Sequence, residues 1–419
     1  MATNSTTYLT RTQSSGTSDK IGTFSAWIKS PQGNETNSIF SGHTDSSNRI
    51  ALYIGGSGAL TIYGNIANSQ SVYLITNNLL RDVSAWYHIV VAWDTTQGTD
   101  SNRFKIYVNG SQITSFSTAS YPSVDADVYW NKGTTSIVGA RYISSAVNFY
   151  YGSMAMVQFV DGQQLTPAYF GSTDTASGIW TPQASSTISS YGTNGFKLKM
   201  DTATPGADTS GNTNTFTVGA GTPTLTQGSP SNNWCTLNPL ARRFSSSPNT
   251  FSNGNTTSTF PAVNNSWNPV SATFGMTKGK WYWESKSISG TATYNGIMAQ
   301  EPTSNTGDVW LGGIANQFGY SGGNGYVYVA NSNQASLSSY TNGDIVSVAY
   351  DADNNLIYFY KNGAIQNSGT GLAVPTPEST PLGAWFPAWS TWDQTTTVKS
   401  FNFGEGFFGT TAAGTQADD

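Results

Sequence analysis

The chain has 419 residues, too many for one ordinary domain at roughly 100–200 residues each, so two or three domains are expected, each able to bury its own core. Only 10% of the residues are charged, against about 25% in typical domains, while 13% are aromatic, which excludes a disordered Ser/Thr-rich chain. The net charge of -5, with no basic run longer than Arg242-Arg243, excludes a nucleic-acid footprint and an anionic-membrane surface, and no apolar run approaches the roughly 20 residues of a membrane helix.

The first eight residues, Met1 to Tyr8, carry neither a basic start nor an apolar stretch of signal-peptide length. If the protein acts outside the cell, it is expected to leave by assembly into a particle, by lysis, or by a route without a cleaved signal. Hydrophobic alternation of period two then runs through the whole chain, and helical periodicity is almost missing. Strands are predicted at Thr23–Ser30, Ile50–Ile54, Leu60–Tyr63, Trp86–Asp94, Arg103–Asn109, Thr135–Ala140 and Gly152–Val160. Asn109-Gly110 supplies the two positive-φ positions of a type I′ turn, which predicts a hairpin. Thr166 as cap and Pro167 at the first helical position predict one short helical turn.

Asp201 to Ser231 is rich in Gly, Thr, Pro and Asn, alternates weakly only at Thr215–Val218, and reads as a linker. Cys235 is the only cysteine, so no intrachain disulfide can form, which suits a chain folded in a bacterial cytoplasm. Strands follow at Lys280–Ser289, Val309–Ile314, Tyr326–Val329, Ile345–Tyr350, Leu356–Tyr360 and Val398–Phe403, with a second Asn-Gly hairpin at Asn362-Gly363. The fold class is all-β.

Four stretches of the first half, Phe24–Lys29, Val83–Val90, Ile106–Gly110 and Gly152–Pro167, occur in an order that resembles the laminin-G-like, concanavalin A-like jelly roll common in phage proteins. Lys280–Glu284, Gly343–Tyr350, Asn355–Gly363 and Phe386–Trp389 resemble a SPRY domain, a sandwich found in many protein-interaction modules. The joining segment Ser231–Pro239 is similar to structural proteins of marine bacteriophages. The resemblances imply two β-sandwich domains in series: laminin-G-like over 1–203, a Gly/Thr/Pro-rich linker over 204–235, SPRY-like over 236–411, and a polar tail over 412–419.

Chemistry has little to be built from. A glycosidase needs two carboxylates about 5–9 Å apart, yet Glu35, Glu284, Glu301, Glu378 and Glu405 have no acidic partner at strand spacing. His43 and His88 are the only histidines, too few for a triad or a zinc site, and His88 is expected to be packed and hydrogen-bonded. The string Asp351 to Asn355 lacks the Gly and Glu that complete an EF-hand and reads as a turn. Asp94, Asp100 and Asn102 are candidate Ca²⁺ ligands, because laminin-G-like domains often hold Ca²⁺ on a rim loop; no cofactor is otherwise required.

Glycan binding would use flat aromatic faces beside hydrogen-bonding polar groups, for which Trp392 with Asp393, Trp310 and Trp130 are the candidates. Trp385 and Trp389 are expected to fill the second core. These readings imply a non-enzymatic virion surface protein: a compact tail appendage, head fibre or capsid decoration. Its expected partners are other virion proteins, further copies of itself and a host-surface glycan or protein. The competing expectations are an extracellular polysaccharide-acting enzyme and a pure protein-protein interaction module.

Overall fold

A computed structural model describes the chain except for residues 1–5, 31–34, 84, 176–177, 184–187, 202–203, 224–228, 232–233, 243–248, 263–266, 268, 291–292, 302–309, 393–394 and 405–419. It divides into two compact units, Met1–Asn233 and Trp234–Asp419, each a sandwich of antiparallel sheets. Among the described residues no helix is long and apolar enough to cross a membrane.

The first unit pairs an eight-stranded sheet with a six-stranded one. At the centre of the smaller sheet lies Ile21–Lys29, bonded to Met154–Asp161 on one side and Trp86–Asp94 on the other. The larger sheet runs through Asn37–His43, Arg49–Ile54, Ala59–Ile66 and Ser69–Leu79 as a meander. Alternation sends Ile50, Leu52, Leu60, Ile62, Val72 and Leu74 into the core, which leaves Arg49, Tyr53, Tyr63 and Tyr73 for the opposite face. Phe24 of one sheet stacks on Phe40 of the other at 4.5 Å and 7°, and Trp93 and Trp130 meet at 5.1 Å, so aromatic rings fill the space between the sheets.

The segment expected as a linker contributes to this unit. Thr217–Ala220 adds an edge strand to the larger sheet by pairing with Tyr8–Thr12, and Phe216 is buried against Phe196. Asp161 is buried and accepts from the backbone N–H groups of Thr17, Ser18 and Asn194 and from the Asn131 amide, tying three distant loops together. At Pro167–Tyr169 the predicted helical turn is a 3-10 turn, and Thr166 makes no side-chain capping bond there.

The second unit packs a seven-stranded sheet on an eight-stranded one. Trp385 and Trp389 are fully buried in its core, where Trp389 meets Phe401 across the sandwich at 6.1 Å. Lys399 is also fully buried; its ammonium donates to Ser287 Oγ at 2.8 Å and lies 5.3 Å from the Tyr340 ring.

Both Asn-Gly hairpins form with φ of 48° and 81° at Asn109-Gly110 and 48° and 80° at Asn362-Gly363. Each Asn side chain accepts from a neighbouring strand, from His88 N and from Ile345 N, both at 2.8 Å. The strand predicted over Val309–Ile314 is a correction: Val309 lies outside the described residues, 311–314 is turn and bend, and the strand is Gln317–Ser321.

Candidate functional site

The most distinctive surface of the second unit is a cluster of partly exposed rings on its seven-stranded sheet. Asn295, Tyr320, Val327 and Trp389 point from this sheet into the core, so alternation turns Tyr294 and Tyr328 to the other face. Trp310 lies against both, 4.9 Å from Tyr294 and 4.8 Å from Tyr328. Trp267 lies 5.3 Å from Tyr294 and 6.2 Å from Trp310, and Trp392 follows at 5.2 Å from Trp267.

The base beneath these rings is built. Met298, Leu311 and Ala388 form a small buried cluster with Tyr294 packed on it. Ser390 Oγ accepts from Leu311 N at 2.9 Å, which pins the turn that carries Trp310. That turn lies flat on the strand because position 319 has no side chain: a Cβ on Gly319 would be 1.9 Å from the Leu311 carbonyl oxygen. The Asn324 amide donates to the Tyr328 hydroxyl at 2.8 Å and holds a hydrogen-bonding group at the edge of the cluster.

The structure therefore brings Trp392 and Trp310 together through Trp267, while Asp393 lies outside the described residues. Trp130 is a correction. It is fully buried against Trp93, Phe104 and Phe40 in the core of the first unit and offers no face to a ligand. Trp267, Tyr294 and Tyr328 were not among the candidates; the period-two pattern around Tyr294 and Tyr328 is the signal that places both on one sheet face.

The candidate Ca²⁺ ligands are used locally. Burial pushes the Asp94 carboxyl up, but hydrogen bonds from Thr96 and Gln97 outweigh this and hold it below its ordinary value. Asp100 accepts from Ser101 N at 2.7 Å, and the Asn102 carbonyl accepts from the Gln164 amide at 3.0 Å. Among the described residues no group of three His, Cys, Asp or Glu side chains is placed to hold a metal ion. Asp351 accepts from Asn354 N and Nδ2, which makes the Asp351 to Asn355 string a turn between two strands.

His88 is fully buried, stacked on Trp27 at 4.6 Å. The Trp180 indole donates to its Nδ1 at 2.9 Å, so the proton sits on Nε2 and faces Ser25 Oγ, also at 2.9 Å. A base whose proton already points at the serine cannot take one from it. Glu284 and Glu301 are pushed up by burial; Tyr282 and Asn402 donate to the first and Ser271 to the second.

No curated protein sequence matches the chain. Among solved structures, the chain is similar to the SPRY domain of human HERC1 (16% identity over 41% of this chain and 99% of that one, TM-score 0.32) and to another human SPRY domain (16%, 38% and 97%, TM-score 0.31). It is also similar to a native heptameric SAP-like pentraxin of Limulus polyphemus (19% identity, 40% and 74%, TM-score 0.30). Residues 3–168 match the family described as the concanavalin A-like lectin/glucanases superfamily, and residues 280–404 match the SPRY domain family. The chain thus carries a laminin-G-type, concanavalin A-like domain followed by a SPRY domain, two domain types typical of binding and protein-interaction modules.

Proposed function

We propose that the protein is a non-enzymatic adhesin that holds a glycan on the aromatic platform of its second unit. The observation that carries this reading is the convergence of Trp267, Tyr294, Trp310, Tyr328 and Trp392 as partly exposed rings on an anchored base. Ring faces cover the apolar side of a sugar, and the neutral Ser, Thr and Asn surface around them suits hydroxyl groups better than charge would.

Binding without turnover is supported by the carboxylates. The first family's description spans both lectins and glucanases, and a glucanase needs a facing acid pair. Glu35 is the only glutamate of the first unit. Asp45, Asp94 and Asp208 accept from nearby N–H or hydroxyl donors, and where acids adjoin, at Asp19 with Asp127 and Asp161, Lys132 pairs with Asp127 and four N–H groups donate to Asp161. The setting we propose is the surface of a bacteriophage particle, on the resemblance of Ser231–Pro239 to phage structural proteins. There, repeated copies would turn weak single contacts into avidity.

A glycan array probed with the full chain and with Trp392→Ala and Trp310→Ala tests the reading. Binding by the wild type, lowered about tenfold or more in each variant with an unchanged melting curve, is expected. An array silent for the wild type would overturn the glycan and favour a peptide or another particle protein as the partner.

A further inference from the structure

A second site, of different chemistry, lies in the first unit on the larger sheet. A hollow of about 240 Å³ is lined by Arg49, Tyr53, Tyr63, Tyr73, Arg141 and Tyr142, with Ile50, Ala51 and Ile143 completing its wall. Its floor is the outward row of three neighbouring strands, in which Ala51 pairs with Tyr63 and Tyr63 with Tyr73. Its side wall is the small hairpin of Arg141–Tyr142 with Ala146–Val147.

That hairpin is locked in place. The Tyr142 ring stacks on His43 at 3.8 Å and 5°. Arg49 Nη1 donates to the Ile143 carbonyl at 3.2 Å, and Arg141 Nε donates to Asn148 Oδ1 at 2.9 Å. The Arg141 guanidinium lies 4.9 Å over the Tyr53 ring, and Tyr63 and Tyr73 meet edge to face at 5.2 Å. Two guanidinium groups are therefore held at one hollow by anchors that leave other N–H groups of each to spare.

Neither guanidinium is held in an ion pair with a described residue. Among the described residues every ion pair uses a lysine, and no acidic side chain lines the hollow. In a chain of net charge -5 this is a local concentration of positive charge within a hydrogen-bonding, aromatic surface.

We propose that the hollow binds a carboxylate-bearing sugar residue. Planar guanidinium forks match a carboxylate through paired N–H donors. The tyrosines offer ring faces to a pyranose and hydroxyls to its hydroxyl groups. At about 240 Å³ the space is below the roughly 300–1,000 Å³ of drug-sized pockets, which suits one ring better than an extended chain. The site does not depend on the aromatic platform of the other unit.

The test is an array of hexuronate- and sialic-acid-terminated glycans, their neutral counterparts and sulfated ones, followed by calorimetry of the best acid sugar, and of a triglutamate peptide, with the full chain. Expected is binding of carboxylated over neutral sugars, lowered about tenfold or more in Arg49→Gln and in Arg141→Gln. Partial retention is expected in the lysine variants, which keep the charge but lose the fork. Trp392→Ala should leave this binding intact, which separates it from the platform. If Arg141→Gln unfolds, Arg49→Gln and Tyr73→Ala carry the same expectation from the sheet side. The proposal is overturned by any of four results: no acid sugar bound at about 10 mM, unchanged affinity in the folded variants, sulfated sugars bound without carboxylated ones, or triglutamate bound equally well.

Discussion

At the scale of single residues, two buried titratable groups, one in each unit, make the protein more stable as the pH rises, each in its own window. Burial lowers the Lys399 ammonium from 10.5 to about 7. Between these values the unfolded chain holds a proton that the folded one releases, so stability rises with pH across that window, by at most about 1.4 kcal/mol per pH unit. Burial likewise lowers His88 from 6.5 to about 3. Below 6.5 the unfolded chain takes up a proton that the folded one refuses, so stability falls as the pH drops toward 3. Urea midpoints measured across this range should climb at the alkaline end and fall at the acid end. Lys399→Met is expected to flatten only the alkaline rise, and a rise that survives the substitution would assign it elsewhere. His88 was legible as a packed, hydrogen-bonded residue, but Lys399 was not: it sits in a Thr-Val-Lys-Ser-Phe strand whose alternation is plain, and the charge on its inward face contradicts the pattern.

At the scale of elements, legibility followed backbone chemistry. Both Asn-Gly turns were readable because Asn and Gly tolerate positive φ. The equivalent tight turns at Ala67-Asn68, with φ of 49° and 64°, and at Ala330-Asn331, with φ of 48° and 63°, were not, because alanine disfavours that region. Asn37–His43 is buried along its whole length although Asn37, Ser38, Ser41 and His43 are polar, so neither an apolar run nor an alternation marks it in the sequence. The aromatic platform was half visible: Trp310 and Trp392 stand out as residue types, but their meeting through Trp267 depends on a turn lying across a strand. Gly319→Ala puts a methyl group against the Leu311 carbonyl, and the expected result is a loss of about 1–3 kcal/mol in stability with weakened array binding as Trp310 shifts. Wild-type binding and stability in this variant would show that the turn does not position the platform. Arg49 and Arg141 gave no warning in the sequence, since each is an isolated cation brought to the other only by sheet register and a hairpin.

At the scale of the whole molecule, the two sandwiches were legible from turn spacing and motif order, and the boundary was less so. A composition rich in Gly, Thr and Pro describes a linker and a short edge strand equally well, and only pairing with Tyr8–Thr12 tells them apart. The proposed particle setting makes one prediction at this scale. Mass spectrometry of purified phage particles from the source culture should recover the chain, and antibody labelling should place it on their surface; recovery from the soluble host fraction alone would remove that setting.

The Thr217–Ala220 edge strand also has a mechanical consequence. Tension drawn on the strand from its Ala220 end would load the pairs Ala220 with Tyr8, Val218 with Leu9 and Thr217 with Thr10 in succession, before it reaches the buried Phe216 behind them. Each freed residue releases about 3.3–3.6 Å of slack. A short rip at the seam would thus lengthen the tether and spare the folded body, a useful property for anything that must keep its grip while being pulled.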